Sequence, residues 1–261
     1  MWSLGEAVRR ARARSEVLER IYSSLGCRSQ GGFVQALWRG WEMRGIALIS
    51  EYKRCAPGRF VAYIEPWTYS SLVAGFSTAF SVLTEPYWFC GSPDIIQVFL
   101  ETGLPVLHKD FVVGRGQLLQ AACHGASAAL VILDTVGWRS LDNIYSQARD
   151  MGLDLLVETF RGGDAAAVAG SYPGVAVGIN SRDLSTLKVD YMRMLVELEL
   201  ASSKGPGRAL YVAESGIDAP DKAAEAVGRG AKAVLVGTAM MKKPELAREI
   251  IEAVKGRLSS V

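Results

Sequence analysis

Three observations on the sequence predict an α/β fold of the closed (β/α)8 type, the TIM barrel. Eight short apolar segments are rich in β-branched residues and show no alternation, which is typical of strands buried on both faces of a parallel sheet. Stretches with helical spacing lie between them, as in right-handed strand–helix–strand crossovers. The length of 261 residues suits one such barrel. An open doubly wound sheet is the rival architecture, but no G-x-G-x-x-G follows the first apolar segment, which counts against a dinucleotide-binding sheet.

The apolar segments give the positions of the predicted strands. We expect the strands at 45–50, 79–83, 104–107, 128–133, 153–157, 174–179, 209–213 and 231–237. The helix after the second strand has a clear start, because Ser92 is a suitable N-cap and Pro93 suits the first helical position. Gly103 ends that helix. Similar patterns predict helices at 114–126, 140–152 and 220–231, and an amphipathic helix at 244–258 closes the chain.

Residues 1–44 precede the first predicted strand. Their pattern predicts two helices on either side of the glycine-rich break GCRSQGG. We expect this N-terminal helical extension to pack on the barrel as a lid or plug, within a single domain that spans residues 1–261. The sequence carries no low-complexity linker that would mark a domain boundary.

The composition indicates a large core and gives no electrostatic case for nucleic acid or membrane binding. Hydrophobic residues make up 49% of the chain, charged residues 21%, and the formal net charge is +2. The N-terminal stretch alternates charged and apolar residues, unlike a signal peptide, and no apolar run reaches the length of about 18 residues that a membrane span needs. We therefore predict a cytoplasmic protein. Asparagine occurs only at Asn143 and Asn180, which hints at a heat-adapted source.

The cysteines show neither a metal-binding nor a disulfide-rich pattern. Cys27, Cys55, Cys90 and Cys123 form no CxxC pair, and their wide spacing fits neither a zinc site nor a dense disulfide framework. We interpret them as free thiols in a reducing compartment. The chain has 2 histidines, too few for a metal site built from histidines.

Charged and polar residues directly follow most of the predicted strands. The carboxyl ends of parallel barrel strands meet at one face, where barrel enzymes keep their active sites. That face is predicted to carry Glu51 and Lys53 after the first strand, Lys109 after the third, Glu158 after the fifth, Asn180 and Arg182 after the sixth, Glu214, Ser215 and Gly216 after the seventh, and Gly237 and Thr238 after the eighth.

These strand ends predict an acid–base site beside a phosphate site. Two lysines and three glutamates from different strands converge there, and opposite charges at close range shift each other's pKa values. Lys109 is conspicuous, because an unpaired lysine directly after a buried strand carries a large desolvation cost. The last two turns combine glycines with hydroxyl residues, and their main-chain N–H groups suit a phosphate. Taken alone, a lysine at a strand end is more often an ordinary ion-pair partner.

Several other polar residues and one glycine-rich stretch are given structural interpretations. We expect Asp110 and Asp183 to bond the loop backbone and Glu85 to be a simple loop acid. His108 is expected to be a satisfied core or outer-face residue rather than a ligand. The glycine-rich stretch GRG, which occurs at 114–116 and at 228–230, is interpreted as a turn signal.

Motifs spread over nearly the whole predicted barrel give the chain a family resemblance. Between residues 50 and 241 the chain carries SEYKR, SVLTEPYWFCGS, PVLHKDFVV, LLVETF, GINSRDL, VAESGI and VLVGTAMM, in that order. With these motifs it resembles the indole-3-glycerol-phosphate synthases, (β/α)8-barrel enzymes of tryptophan biosynthesis with extra N-terminal helices. The resemblance implies a carboxy-lyase that closes the ring of 1-(2-carboxyphenylamino)-1-deoxyribulose 5-phosphate with loss of CO2 and water. It implies neither a metal ion nor a redox cofactor.

The resemblance also implies catalytic roles for the matching positions. Lys109 would be the general acid at the ribulose carbonyl as the ring closes, and Glu158 would handle the proton of the later dehydration. Lys53 would hold the anthranilate carboxylate and assist proton transfer. Glu51 and Asn180 would orient the lysines and the substrate hydroxyls. Because carbonyl activation favours a proton donor with a lowered pKa, we expect clustered cations to lower the pKa of the acid.

The remaining implied residues bind the substrate. Phosphate binding is implied for Ser215, Gly216, Gly237 and Thr238, next to Glu214. The apolar anthranilate pocket is implied for Phe89, Phe111, Leu130 and Leu184, with Trp2 contributing from the first helix. Arg182 would brace the acidic groups.

Two alternatives remain open on the sequence. One is an isomerase similar to phosphoribosylanthranilate isomerase, whose chemistry uses a Cys/Asp acid–base pair; Cys55 follows the first strand, but no such pair stands out. The other is a non-catalytic barrel that binds a phosphorylated ligand or a partner enzyme. The expected partner is a small phosphorylated substrate, with association with other tryptophan-pathway enzymes left open and with neither nucleic acid nor membrane expected.

Overall fold

The structure, a computed structural model, describes residues 2–57 and 60–258 and confirms the predicted (β/α)8 barrel. Its strands are β1 (Ala47–Tyr52), β2 (Cys55–Ala56), β3 (Phe60–Val61), β4 (Ala79–Leu83), β5 (Val106–Lys109), β6 (Ala128–Ile132), β7 (Asp154–Thr159), β8 (Ala176–Asn180), β9 (Tyr211–Glu214) and β10 (Ala233–Val236). Strand β1 and strands β4 to β10 pair in parallel and close into a ring, in which β1 contacts both β4 and β10. Strands β2 and β3 form a separate antiparallel hairpin in the loop that follows β1.

Helices alternate with the barrel strands and precede the first of them. They are α1 (Leu4–Tyr22), α2 (Phe33–Arg44), α3 (Pro66–Val73), α4 (Ile96–Leu100), α5 (Arg115–Cys123), α6 (Leu133–Val136), α7 (Trp138–Asp150), α8 (Gly162–Ser171), α9 (Tyr191–Lys204), α10 (Pro220–Gly228), α11 (Thr238–Lys242) and α12 (Leu246–Leu258). The side chain of Ser92 accepts from the Asp94 main chain as an N-cap, ahead of a short 3-10 turn and α4. None of the helices in the described part of the chain is long and apolar enough to cross a membrane.

Five of the eight barrel strands, β1, β5, β7, β8 and β9, extend further toward their carboxyl ends than the apolar segments that predict them. The first apolar segment stops at residue 50, whereas β1 runs to Tyr52, and β5 includes Lys109. Main-chain pairing continues past the apolar residues, because Glu51 and Tyr52 still pair with β4. Glu51, Lys109, Glu158, Asn180 and Glu214 therefore lie on the strands themselves, whereas Lys53 directly follows β1.

The interior of the barrel is filled by one apolar cluster that continues into α2. Inward-facing residues such as Ile49, Leu107 and Leu156 pack in a cluster that also contains Phe33 and Leu37. Both α2 residues are fully buried. Helix α2 therefore closes the end of the barrel at which the strands begin.

Helix α1 lies against α5 on the flank of the barrel. A Cβ on Gly116 would lie 2.0 Å from the carbonyl oxygen of Ser15, so this glycine is what lets the two backbones meet. The Gln117 side chain donates to the carbonyl of Ala11 at 2.8 Å and fixes the contact. The turn signal GRG is confirmed at 228–230, where α10 ends at Gly228 and Gly230 adopts left-handed backbone with φ of 105°. At 114–116 the helical pattern is confirmed instead, because Arg115 begins α5 and Gly116 serves helix packing.

The interpretation of the cysteines as free thiols was also wrong. Cys27 forms a disulfide with Cys123, and Cys55 forms one with Cys90. The first joins the segment between α1 and α2 to the end of α5. The second joins two loops at the carboxyl ends of the strands. The partners are 96 and 35 residues apart, so each bridge closes a long loop that spacing along the sequence does not reveal.

Candidate active site

A cavity of about 470 Å³ opens at the carboxyl ends of the barrel strands. This volume lies within the range of about 300–1,000 Å³ that small-molecule sites occupy. The structure brings nearly all the predicted site residues to it: Glu51, Lys53, Phe89, Lys109, Phe111, Leu130, Glu158, Asn180, Arg182, Leu184, Ser215, Gly216, Gly237 and Thr238 line the cavity. Glu214 contacts the lining residue Lys109 from β9.

Lys109 is held among carboxylates at the end of β5. Its Nζ lies 2.9 Å from Oε2 of Glu214 and 3.3 Å from Oε2 of Glu51. Burial alone would lower the pKa of Lys109, but the charges of Glu214, Glu51 and Glu158 outweigh burial and raise the pKa above its usual range. The expectation of a lowered pKa was therefore wrong, because the nearest charges are anions rather than cations. The ammonium stays charged and directed at the cavity.

Glu51 connects the two lysines of the site. Its Oε1 accepts from Nζ of Lys53 at 2.8 Å, while its other oxygen faces Lys109. Burial would raise the pKa of Glu51, but the two ammonium groups prevail and lower it to about 2. The carboxylate therefore carries a full charge and fixes the positions of both lysines.

Glu158 lies on the opposite side of Lys109 and is almost completely buried. Burial and the neighbouring Glu214 carboxyl group raise the pKa of Glu158, and the charge of Lys109 and a hydrogen bond from Asn180 only partly oppose them. The Asn180 amide donates to Oε1 of Glu158 at 2.8 Å. A buried carboxyl group with a raised pKa is typical of an acid or base that works near neutral pH.

Gly178 makes room for this carboxylate cluster, and the sequence interpretation missed its function. A Cβ at this position would lie 2.0 Å from Oε1 of Glu214 and 3.6 Å from the Cα of Glu158. The glycine is the one break in the apolar run of β8, and an isolated glycine in a strand is a signal of close approach. We expect any larger residue here to displace Glu214 from Lys109.

Replacing Gly178 by alanine is expected to lower kcat by roughly 10- to 100-fold, because misplaced catalytic groups lose their alignment. Steady-state kinetics and circular dichroism measure activity and fold together. Gly163→Ala is the matched control, since a Cβ on this exposed glycine of α8 meets nothing within 4 Å. Equal kcat for Gly178→Ala and the control would contradict the role assigned to Glu214.

The turns after β9 and β10 form the polar end of the cavity. Ser215 and Gly216 both adopt left-handed backbone, with φ of 67° and 73°, and so bend the chain sharply behind Glu214. Gly237 follows β10, and a Cβ there would lie 2.2 Å from Oε1 of Glu51. The glycine thus keeps the main chain open to a ligand and leaves space for Glu51. Thr238 adds a hydroxyl group beside it.

The opposite end of the cavity is aromatic and apolar. Trp2 lies edge-on to Phe89, with ring centroids 6.2 Å apart, and 6.1 Å from Phe111. Its indole nitrogen donates to the Leu184 carbonyl at 2.9 Å, which joins the start of the chain to the loop after β8. Leu130 completes this wall. A flat aromatic group suits such a slot, because it is lined by rings and aliphatic side chains.

A buried network around Arg14 supports the aromatic wall and was missed in the sequence. Arg14 of α1 forms an ion pair with Asp110, and its Nη1 lies 3.8 Å from Oε1 of Glu85. The Glu85 carboxylate accepts from the main-chain N–H groups of Tyr87, Trp88 and Phe89. Glu85 is therefore not a simple loop acid. A single arginine in a polar helix face gives no signal in the sequence that it reaches across to another element.

Asp110 and Asp183 have the expected structural role, whereas His108 is buried as expected but not fully hydrogen-bonded in the described part of the chain. Asp183 bonds the loop backbone as expected, accepting from the N–H groups of Ser185 and Thr186. Asp110 does so too, accepting from Phe111 N at 2.7 Å. His108 is fully buried, burial lowers its pKa to about 4, and its Nδ1 has no hydrogen-bond partner in the described part of the chain.

Arg182 is held by two hydrogen bonds in the loop after β8. The guanidinium of Arg182 donates to the Leu187 carbonyl at 3.1 Å, and its main-chain N–H donates to Oδ1 of Asn180 at 2.9 Å. Through the second bond, Arg182 orients the amide that contacts Glu158. Within residues 2–57 and 60–258, no group of three or more His, Cys, Asp or Glu side chains is arranged to hold a metal ion.

Comparisons with known sequences agree on one family. The model of a family described as indole-3-glycerol phosphate synthase matches residues 5–253. An indole-3-glycerol phosphate synthase of Aeropyrum pernix is 43% identical over 250 residues, which cover 95% of this chain and 95% of the relative. That of Pyrobaculum neutrophilum is 39% identical over 78% of this chain and 81% of its own length. That of Deinococcus radiodurans is 39% identical over 82% of this chain and 81% of its own length.

Solved structures with a similar fold are much more distant in sequence. Orotidine 5'-phosphate decarboxylase from Pyrococcus horikoshii matches with a TM-score of 0.59 at 16% identity, covering 80% of this chain and 99% of that chain. A mutant tryptophan synthase alpha-subunit from Pyrococcus furiosus matches with a TM-score of 0.58 at 14% identity, covering 82% and 98%. At such identities the likeness shows the shared barrel fold alone.

Proposed function

Because this chain belongs to the indole-3-glycerol phosphate synthase family, it closes the indole ring of 1-(2-carboxyphenylamino)-1-deoxyribulose 5-phosphate, and we propose that Lys109, Glu158 and Lys53 carry the chemistry. The observation that supports these roles best is the position of Lys109. Its ammonium lies between Glu214 and Glu51 and faces a cavity with an apolar end and a polar end. With the anthranilate ring assigned to the first end and the phosphate to the second, the ribulose carbonyl would lie between them.

Ring closure begins with Lys109. The ring carbon that bears the carboxylate attacks the ribulose carbonyl, and the carbonyl oxygen takes a proton from the lysine to become a hydroxyl group. The raised pKa of Lys109 keeps the proton on the amine until an alkoxide, which is a stronger base, develops at this oxygen. The charge also stabilises the developing oxyanion directly, since the site is buried.

Lys53 and the aromatic wall are assigned to the anthranilate part. The lysine is fixed by Glu51 and faces the cavity, where it would pair with the carboxylate until CO2 leaves. Phe89 and Phe111 would hold the ring in its slot. Loss of CO2 then restores the aromatic system with both electrons of the broken bond.

Dehydration is assigned to Glu158. The hydroxyl group formed at the former carbonyl takes a proton, assigned to the ammonium of Lys53, and leaves as water, while the neighbouring substrate carbon loses a proton to a base. Glu158 is buried beside the cavity, and its raised pKa makes it a stronger base than an ordinary carboxylate. Asn180 holds its orientation through a hydrogen bond of 2.8 Å.

A test of Glu158 as the base is the pH dependence of kcat/KM, which reports groups in the free enzyme. The base must be ionised, so activity is expected to rise with pH through the pKa of Glu158. Because burial raises that pKa, the midpoint should lie well above 4.5, the ordinary value for glutamate. Glu158→Gln should lose this limb together with about 100-fold or more in kcat.

Asn180→Ala provides the matched comparison for the pH test. Its amide lowers the pKa of Glu158, so removing it should move the midpoint to higher pH without abolishing the limb. A midpoint that stays in place in Asn180→Ala, or a limb that survives in Glu158→Gln, would assign the titration to another group.

Thr238 tests the phosphate end of the cavity. Replacing it by valine keeps the shape and removes one hydroxyl group, which costs about 1.5–3 kcal/mol when the partner is charged. We expect KM to rise roughly tenfold or more with little change in kcat, because the phosphate does not react. Inorganic phosphate should inhibit the original protein competitively and the variant more weakly. Unchanged KM and unchanged phosphate inhibition would remove Thr238 from the phosphate site.

The alternatives considered from the sequence lack support at the site. An isomerase that uses a Cys/Asp pair would need a free thiol, but Cys55 is joined to Cys90. A non-catalytic barrel would gain nothing from burying Glu51, Glu158 and Glu214 around Lys109, since desolvating charges is costly.

We propose that the chain acts as one domain in the cytoplasm and takes its phosphorylated substrate from another enzyme of the tryptophan pathway, in free exchange or in a complex. Two disulfides are unusual for that compartment, but intracellular proteins of hyperthermophiles are a recognised exception, and thermophiles are among the sources of the relatives.

A further inference from the structure

The Cys55–Cys90 disulfide joins two loops that border the active-site cavity. The β1 loop, described at residues 53–57 and 60–65, begins at Lys53 and carries Cys55 two residues later. The β4 loop, residues 84–92, carries Phe89 immediately before Cys90. Lys53 and Phe89 both line the cavity. The bridge therefore lies directly behind two residues that are assigned to the same part of the substrate.

The β4 loop is the fixed partner of this pair. Its Glu85 side chain accepts hydrogen bonds from three successive main-chain N–H groups, and Gly91 N donates back to the Glu85 carbonyl at 2.8 Å. A Cβ on Gly91 would lie 2.5 Å from the carbonyl oxygen of Leu83, so the loop is wound tightly onto the end of β4. Cys90 itself adopts left-handed backbone, with φ of 52°.

The β1 loop is shaped by its own hydrogen bonds but anchored by the bridge. The β2–β3 hairpin and the bond from Ala62 N to the Arg54 carbonyl, 2.6 Å, hold the loop in shape. Across the mouth of the barrel, the loop reaches the β4 loop through the disulfide and a bond of 3.3 Å from Cys55 N to the Phe89 carbonyl. A single main-chain bond of this length is weak compared with a covalent link.

We propose that Cys55 and Cys90 are positioning residues of the active site: their disulfide holds Lys53 at a fixed distance from the Phe89 wall, so that the carboxylate and the ring of the anthranilate group are bound together. The proposal rests on the assigned roles of Lys53 and Phe89. Without the bridge, the β1 loop moves relative to the β4 loop, and the substrate must order the loop when it binds. Loss of the bridge therefore weakens substrate binding more than it slows the chemical step.

The test compares two double variants, each lacking one disulfide. Cys55→Ser with Cys90→Ser removes the bridge at the cavity. Cys27→Ser with Cys123→Ser removes the bridge at the end of α5, whose cysteines do not line the cavity. For the first, KM is expected to rise roughly tenfold, with kcat changed less than about threefold. For the second, KM should be unchanged. Circular dichroism establishes that both are folded at the assay temperature, and a purely structural role would lower the active fraction without changing KM.

Reduction of the original protein gives an independent measure. A dithiol such as dithiothreitol supplies two electrons and two protons, which convert the bridge to two thiols while the reagent forms its own cyclic disulfide. KM should rise to the value of the Cys55/Cys90 variant and return on reoxidation, and that variant should not respond.

The outcomes separate this proposal from the assigned chemistry. Alkylation of Cys55 and Cys90 in the denatured, unreduced protein would show that the bridge is not formed and would overturn the proposal. An unchanged KM in the Cys55/Cys90 variant would overturn it as well. An oxidised original protein that binds the substrate and does not turn it over would instead contradict the proposed function, whatever the variants do.

Discussion

Replacing Lys109 by methionine is expected to lower kcat by about 10³-fold, the combined loss of a proton donor and of the charge that stabilises the oxyanion. Methionine has a similar length and no charge. The fold should survive, because Glu51 keeps its bond to Lys53 and Lys109 lines the cavity rather than the apolar core. Single-turnover measurements with saturating substrate report the chemical step directly.

Lys232→Met is the matched control for this experiment. Lys232 directly precedes β10 at the opposite end of the barrel, where its Nζ lies 4.8 Å from the ring centroid of Trp41. Its loss removes a cation–π contact and should cost stability but leave kcat nearly unchanged. A Lys109→Met protein that is folded and retains near-normal kcat would contradict the mechanism.

Removing the Cys27–Cys123 disulfide is expected to lower the free energy of unfolding by about 4 kcal/mol. The bridge joins residues 96 apart in sequence, and closing a loop of that length restricts the unfolded chain by about 4–5 kcal/mol in the chain-entropy description. For a chain of this size the loss corresponds to a fall in Tm of roughly 10 °C. Thermal or denaturant unfolding of the Cys27→Ser, Cys123→Ser variant measures it.

The site of this bridge explains why the stability effect should be large. It fixes the segment between α1 and α2, which is also held by Ser29, whose Oγ donates to the Ala126 carbonyl at 2.7 Å. Helix α2 in turn closes the base of the barrel through Phe33 and Leu37. The reduced original protein should have a lower Tm than this variant, because reduction also opens the Cys55–Cys90 bridge. An unchanged Tm in both would show that the extension is held by packing alone.

The barrel could be predicted from the sequence because its strands are buried on both faces. Segments such as AALVIL and GVAVGI carry no polar face that could be exposed to solvent. Their regular alternation with helical patterns is compatible with few architectures. Lys109 and Glu158 could be identified as candidates for the same reason, since a charge at the end of such a segment is conspicuous. Their predicted positions at the cavity agree with the structure, while their chemical roles remain proposals.

The features that sequence reasoning missed all depend on distant pairs of residues. The disulfide partners, the contact between Arg14 and Asp110, and the space that Gly178 leaves for Glu214 each arise when the barrel closes. The predicted direction of the pKa shift of Lys109 was wrong for the same reason. The sequence shows which charges gather at the mouth of the barrel, but the shift depends on which of them are nearest.

The most direct test of the account is the fluorescence of the purified, oxidised protein mixed with 1-(2-carboxyphenylamino)-1-deoxyribulose 5-phosphate in the presence of a metal chelator. The account predicts a steady rise of indole emission, at a rate proportional to enzyme concentration and abolished in Lys109→Met. Absence of indole emission, with the substrate shown to bind by quenching of intrinsic tryptophan fluorescence, would contradict the assignment of catalysis to Lys109, Glu158 and Lys53.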